Sequence, residues 1–291
     1  MGSTSSWTPP LGAALRLGRV ANLPTVWSNV LAGSALAGKD IADHRLPLLL
    51  AAFSLFYLAG MYLNDAFDHS IDARERPERP IPSGLIARRT VIMAGLAMMT
   101  LGLLTVSAVG GFAGFTAGLA LGVTIIGYDL HHKGNRFGPV LMGVCRGLVY
   151  LGSTVALTGR ISLEALAGGV ILLCYVLGLT YTAKRETLAS FGAIWPLASL
   201  AAPMLYFPRA FANSAIGVAA CLLFAGWLAL TMRKLMPGPK RDVRAAVGQF
   251  IAGIALVDTV IAAACGQTLS AALAVLAFLT TLLLHRRLPG T

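Results

Sequence analysis

The stretch NDAFDHSIDARERPERPIPSG, Asn64 to Gly84, follows the apolar run LLLAAFSLFYLAGMYL of residues 48–63. Carboxylates are expensive in or near hydrocarbon, so Asp65, Asp68 and Asp72 at the end of such a run require an explanation. Their spacing of i, i+3 and i+7 places all three on one face of a helix, with Asn64 beside them at i−4 from Asp68. Like charges on one stripe repel unless a cation lies among them. Oxygen donors of this kind suit Mg²⁺, which keeps several waters and bridges carboxylates to substrate phosphates. Arg74, Arg76 and Arg79 come next, and arginine grips phosphate oxygens through paired hydrogen bonds. The order of carboxylates, then arginines, at a membrane mouth suggests a site for a lipid diphosphate and its metal. The alternative is a solvated helix end whose acids pair with the arginines that follow.

The rest of the chain agrees with a membrane setting. Its 291 residues are 56% hydrophobic and 12% charged, with a mean hydropathy of +0.74, whereas soluble domains carry about 25% charged residues. Nearly charge-free runs recur throughout, which predicts an all-α, polytopic transmembrane helical bundle. Residues 1–291 read as a single integral-membrane domain, because no hydrophilic stretch is long enough to fold separately. The formal charge of +11 sits mostly in short loops, and membrane orientation accounts for it without a nucleic-acid partner. Cys145, Cys174, Cys221 and Cys265 stand alone in apolar segments, without metal-ligand or disulfide spacing. The first residues lack the basic start of a secretory signal.

Apolar segments fall at roughly 12–37, 45–69, 87–109, 112–129, 138–157, 163–184, 190–207, 211–234, 244–264 and 268–285. With the first helix starting in the cytoplasm, 18 lysines and arginines lie on that side. Lys39, Arg45, Arg160 and Arg209 lie on the other, and Arg146 is left inside a helix. The positive-inside rule favours this orientation. It predicts a multi-pass protein, of the cell inner membrane if bacterial, whose acidic stretch faces the cytoplasm. The least certain division is ACGQTLS, 264–270, which reads as a turn or as the kink of a re-entrant hairpin.

The run NDxxDxxxD ending in RPIPSG closely resembles the first aspartate-rich motif of the UbiA superfamily of intramembrane prenyltransferases. LRLGRVANLPTVWSNVLAG, 15–33, resembles that family's first helix, and YDLHHKGNRFGPVLMG, 128–143, its loop before the fifth. The resemblance implies a bundle of usually nine spans around a central cavity open to the bilayer. It also implies Mg²⁺-dependent transfer of a prenyl group from a prenyl diphosphate to a lipophilic, often aromatic, acceptor. By it, Asn64, Asp65, Asp68 and Asp72 hold the metal, and Asp68 and Asp72 are catalytic. Asn64, Arg74, Arg79, Lys133 and Arg136 hold the diphosphate, Lys133 being the match to the family's basic loop residue.

The second aspartate motif that the family places after its sixth helix is missing. That region reads YTAKRETLASFG, 181–192, and in this respect resembles a divergent, EboC-like branch. Glu186 then stands in as a metal ligand, while Lys184 as a catalytic cation and Arg185 as a diphosphate contact replace one metal with fixed charge. The alternative is a non-catalytic isoprenoid-binding or transport component. A third, an ion-coupled transporter using Asp258 and Arg146, leaves the acidic motif unexplained.

Arg146, about two turns into its segment, has to face a cavity or a partner. It either points at diphosphate as a catalytic residue or pairs structurally with a group such as Asp258. Asp258 itself orients an acceptor, acts as a base, or simply pairs. Asn22 and Asn29, seven apart, line the cavity or bond between helices. Asp129 ends its helix beside His131 and His132; a His pair near a carboxylate can bind metal, but adjacent residues on a helix face apart, and a water-exposed loop is the favoured reading. The acceptor's identity is open, and membrane lipid is the surrounding partner.

Overall fold

The computed structural model describes residues 9–131, 135, 137–184, 195–236 and 241–288. Among these the chain is helical, without strands. The helices are α1 Pro9–Leu17, α2 Pro24–Leu36, α3 Leu46–Phe67, α4 His69–Glu75, α5 Arg88–His131, α6 Gly138–Thr158, α7 Leu163–Lys184, α8 Trp195–Ser199, α9 Phe207–Asn213, α10 Ala215–Arg233, α11 Val243–Ala264 and α12 Thr268–Arg287. Local chemistry sets many of their ends. Proline stands in the first turn of α2, α3, α6 and α9, where its missing N–H leaves no bond unmade. Asp242 accepts from the Ala245 N–H at 2.8 Å to cap α11. Gly159, at φ 74°, closes α6.

Among the described residues seven helices are long and apolar enough to cross a membrane, and the protein is an integral membrane protein. The expected nine to ten spans exceed that number for identifiable reasons. The 44-residue α5 combines two sequence segments across Gly111, whose φ of 58° and ψ of −140° are not helical. Its halves, 88–110 and 112–131, fold back on each other. A Cβ at Gly118 would lie 2.9 Å from Leu103 Cδ1, whereas 15 residues of straight helix span about 22 Å. The first segment is broken by a 3₁₀ turn, Val20–Asn22, and by Pro24, leaving a 13-residue α2. Among its described residues, 195–207, the seventh contains the five-residue α8 and a 3₁₀ turn, Ala202–Tyr206. The last pair is two full helices separated at Gly266, φ 75°, and not a re-entrant hairpin. A side chain at Gly111 would meet no atom but would be forced into backbone space that only glycine uses. Gly111→Ala is therefore expected to destabilise the fold by about 1–3 kcal/mol, read as a lower unfolding temperature in detergent.

Two apolar clusters build the interior. One joins α2, α3, α5 and α6 around Phe53, Phe56 and Leu63; the other surrounds α11, whose residues 252–264 are all buried. Large side chains such as Leu104, Phe112, Val123, Leu222 and Leu283 are exposed outside it, as lipid-facing residues are. Charges gather at the two ends. Arg45 donates to the Leu157 carbonyl, and Arg209 to the Ala264 carbonyl and to Glu164. At the other end Arg19, Arg79 and Arg88 cluster around the end of α3. His285 of α12 returns to that same end, 2.6 Å from Asn22 Oδ1.

Candidate functional site

The acidic run straddles the junction of α3 and α4. Asp68 is the hinge residue, yet the helical bonds continue through it. Its N–H reaches Asn64 O, and the Asp72 N–H reaches Asp68 O, both at 2.9 Å. The i, i+3, i+7 face therefore survives the junction. Asn64, Asp65, Asp68 and Asp72 are 5, 4, 6 and 2% exposed, which removes the reading of a solvated helix end.

Of the three arginines that follow, one enters. Arg79 Nη1 lies 2.6 Å from Asp72 Oδ2 and 3.5 Å from Asp65 Oδ1, with the side chain 6% exposed. The loop of the RPIPSG sequence delivers it. Ser83 N–H bonds Arg79 O at 2.9 Å and Ile86 N–H bonds Pro80 O at 3.2 Å. Gly84 turns the chain at φ 78°, and Ile81 is buried against Leu17, Ala66 and Val91. Arg88 ties the loop's far end to the Ala66 carbonyl at 2.8 Å. Arg74 and Arg76 are exposed, and Arg74 turns back on the Ser70 carbonyl of its own helix. Lys133, Arg136, Arg185 and Glu186, and the side chain of Lys184, lie outside the described residues.

Two participants were not found by sequence reasoning. Arg19 falls in the first apolar segment and was counted only among the 18 cytoplasmic-side charges. It is the sole described non-glycine residue with positive φ, at 41°, and its Nη2 lies 3.3 Å from Asp65 Oδ1. Its carbonyl accepts from the Tyr57 hydroxyl at 3.1 Å. The second is Asp129, which is 4% exposed and not a water-exposed loop residue. It accepts from Asn64 Nδ2 at 3.3 Å. The available signal was position: Asp129 ends one apolar pass as Asp65 ends another.

Asp129 links the acidic centre to a cavity of about 90 Å³ between α2, α3, the second half of α5, and α6. Phe53, Phe56, Leu121 and Val149 supply apolar walls, while Asp129 and Arg146 are its charged ones. Arg146 donates to Asn29 Oδ1 at 2.8 Å and to Thr25 Oγ1 at 3.1 Å, and its guanidinium carbon lies 5.8 Å from the Tyr57 ring centroid. Asn29 is fully buried and bonds between helices, donating to both oxygens of Asp258 at 3.0 and 2.9 Å. Tyr150 donates to the same carboxylate. Asp258 is 0% exposed and outside the cavity lining. Of its three sequence readings, pairing is the one this position fits.

Among the described residues, no three Asp, Glu, His or Cys side chains stand close enough to cage a metal by themselves. What the end of α3 collects is an oxygen-only donor set, buried beside two guanidiniums. That chemistry fits Mg²⁺, which takes few protein ligands and fills its shell from water and phosphate.

The family model for UbiA prenyltransferases matches residues 24–254. The chain belongs to the UbiA prenyltransferase family. This UbiA-family protein is 37% identical over 109 residues to a digeranylgeranylglyceryl phosphate synthase of Ignicoccus hospitalis, across 38% of this chain and 35% of the relative. It is 33% identical over 107 residues to the enzyme of the same name from Methanoregula boonei, across 37% and 34%. The match thus spans about a third of the length of these curated relatives. In fold it is similar to an apo UbiA homologue from Aeropyrum pernix, with a TM-score of 0.65 at 19% identity, covering 80% of this chain and 94% of that one. It is likewise similar to a UbiA homologue from Archaeoglobus fulgidus bound to GPP and Mg²⁺, with a TM-score of 0.56 at 17% identity, covering 84% and 99%.

Proposed function

We propose that this protein transfers a prenyl group from a prenyl diphosphate to a lipophilic acceptor within the membrane, with Mg²⁺ as cofactor and the acidic centre facing the cytoplasm. The observation that carries this reading is the buried set Asn64, Asp65, Asp68 and Asp72 joined through Asp129 to an apolar cavity. The relatives' product is named as an isoprenoid lipid phosphate. A cavity with apolar walls and a cation at Arg146 suits an acceptor that joins an anionic head to an apolar body. The distribution of basic residues supports the cytoplasmic side.

Asp65, Asp68, Asp72 and the Asn64 side-chain amide oxygen would supply the few protein ligands that Mg²⁺ takes, with water and phosphate completing its shell, and the ion would neutralise charge developing on the departing diphosphate. The chain's own residues do the rest. Arg79 and Arg19 bring fixed positive charge to the acidic cluster and keep its carboxylates directed. Phe53, Phe56, Leu121 and Val149 give the prenyl tail an apolar environment, and the same walls limit water around the allylic carbon. Release of diphosphate from a labelled prenyl diphosphate, with membrane extract as the source of acceptor, tests the proposal. Release is expected with Mg²⁺ and is expected to cease when the metal is chelated.

The missing second acidic motif favours one other reading, an isoprenoid-binding or transport component. Tight binding of prenyl diphosphate with no release, over several acceptors, would select it.

A further inference from the structure

We infer that Asp258 is a positioning residue: acting through the Asn29 amide, it aims Arg146 at an oxyanion of a substrate in the cavity. This rests on the reading of the cavity as a substrate site. Three helices contribute, Asn29 from α2, Arg146 and Tyr150 from α6, and Asp258 from α11.

The bonding leaves the amide no freedom. Asn29 Nδ2 donates to both oxygens of Asp258, so Oδ1 points the other way, at Arg146 Nη1, 2.8 Å distant. An amide has one accepting and one donating end. A carboxylate, which only accepts, therefore fixes which end Arg146 meets. Thr25 Oγ1 holds the second nitrogen, Nη2, and the Thr25 hydroxyl is itself committed to the Asn22 carbonyl at 2.7 Å. Tyr150 donates to Asp258 Oδ1 as well.

Arg146 donates to two neutral oxygens, Asn29 Oδ1 and Thr25 Oγ1. The Asp258 carboxylate is one residue removed, behind Asn29. That distance distinguishes the arrangement from an ion pair. A carboxylate directly on the guanidinium would compete with any anionic ligand. Placed behind an amide, it balances the charge within the low-dielectric interior while leaving the guanidinium facing the cavity, where Arg146 forms part of the wall. The oxyanion has two possible sources, the diphosphate of the donor or an anionic head on the acceptor. Both present oxygens that arginine recognises.

Binding to the purified full-length protein in detergent tests this. Geranyl diphosphate probes the donor, a prenylated glyceryl phosphate probes the acceptor, and geraniol supplies a neutral tail. In Asp258→Asn the side chain no longer accepts on both atoms, so Asn29 loses its fixed direction. The affinity for one of the two anionic probes is expected to fall roughly tenfold, the scale of one lost hydrogen bond to a charged group, with geraniol binding unchanged. The anionic probe that weakens identifies the source. Thr25→Val, which keeps shape and removes the Nη2 acceptor, is expected to weaken the same probe by about threefold. In the double variant Asn29→Asp/Asp258→Asn the carboxylate sits directly on Arg146. Thermal stability is expected to recover there while anion affinity does not.

Wild-type affinity for both anionic probes in folded Asp258→Asn overturns the inference. So does a double variant that regains affinity along with stability, because Asp258 would then supply only charge. If Asp258→Asn does not fold, unchanged affinity in Thr25→Val overturns it, as does a wild type that binds neither anion. Binding decides these outcomes, whereas absence of diphosphate release by the wild type counts against the transferase reading alone.

Discussion

Asp68→Ala is expected to lower release of diphosphate by roughly a thousandfold, the upper range for loss of one preorganised charge-stabilising group. Asp68 lies at the centre of the acidic face. It is the residue on which α3 ends and α4 begins, and its carbonyl receives the Asp72 N–H. Its backbone keeps the two halves of the motif in register, and alanine preserves that backbone. The side chain is 6% exposed, so its loss removes a donor that bulk water does not readily replace. The fold is expected to survive, with an unfolding temperature close to that of the native protein. Asp68→Asn retains the shape and one oxygen, and is expected to retain more affinity for prenyl diphosphate while still losing most turnover. Measuring release and binding on the same preparations separates the two effects. Turnover that persists in Asp68→Ala would remove the acidic centre from the chemistry altogether.

Arg79→Ala is expected to act on stability first, by about 3 kcal/mol or more. Arg79 and Asp72 form a buried ion pair at 2.6 Å, with both side chains almost wholly enclosed. Deleting the cation leaves a carboxylate without the guanidinium that it faces. The same deletion removes the second contact, 3.5 Å to Asp65. Arg79→Lys keeps the charge but presents a compact ammonium on a shorter stem where one guanidinium nitrogen, Nη1, now reaches both carboxylates. It is expected to recover part of the loss. Thermal unfolding in detergent, with and without Mg²⁺, reads both. A cation supplied from solution should narrow the gap between Arg79→Ala and the native protein, since it would occupy the acidic face that the arginine vacates.

The sequence revealed the class of fold and the acidic centre because both depend on local patterns. Apolar runs of membrane length need no tertiary information, and three aspartates on one helical face are visible at i, i+3 and i+7. The choice among the arginines was not visible in this way. Arg74, Arg76 and Arg79 look equivalent in the chain. Only the packing of Ile81 against Leu17, Ala66 and Val91, with the turn at Gly84, brings Arg79 inward. Arg19 and Asp129 come from distant segments and meet Asp65 and Asn64 across 46 and 65 residues. No spacing rule links them. The number of spans was misread for a related reason. A short apolar segment looks alike whether it runs as one helix or breaks at a proline or a turn, as the first and seventh segments do. Arg146 and Asp258 were each conspicuous as charges within apolar helices, but the residue that connects them is a neutral asparagine. Asn29 itself was visible as a residue that lines the cavity or bonds between helices, but its link to those two charges was not.

The glycines of α6 have a consequence for how this scaffold changes. A Cβ at Gly147 would lie 3.0 Å from the Gly169 carbonyl oxygen, and one at Gly143 would lie 3.0 Å from that of Leu173. On the neighbouring face, a Cβ at Gly33 of α2 would come within 2.8 Å of Ser153 Cβ. Here backbone lies against backbone, and there is no side chain left to trim. In the cavity wall, by contrast, Phe53, Phe56 and Leu121 of α3 and α5 offer bulk to exchange. The α2–α6–α7 seam tolerates almost no enlargement, so drift or engineering aimed there should yield misassembled protein before it yields a different product.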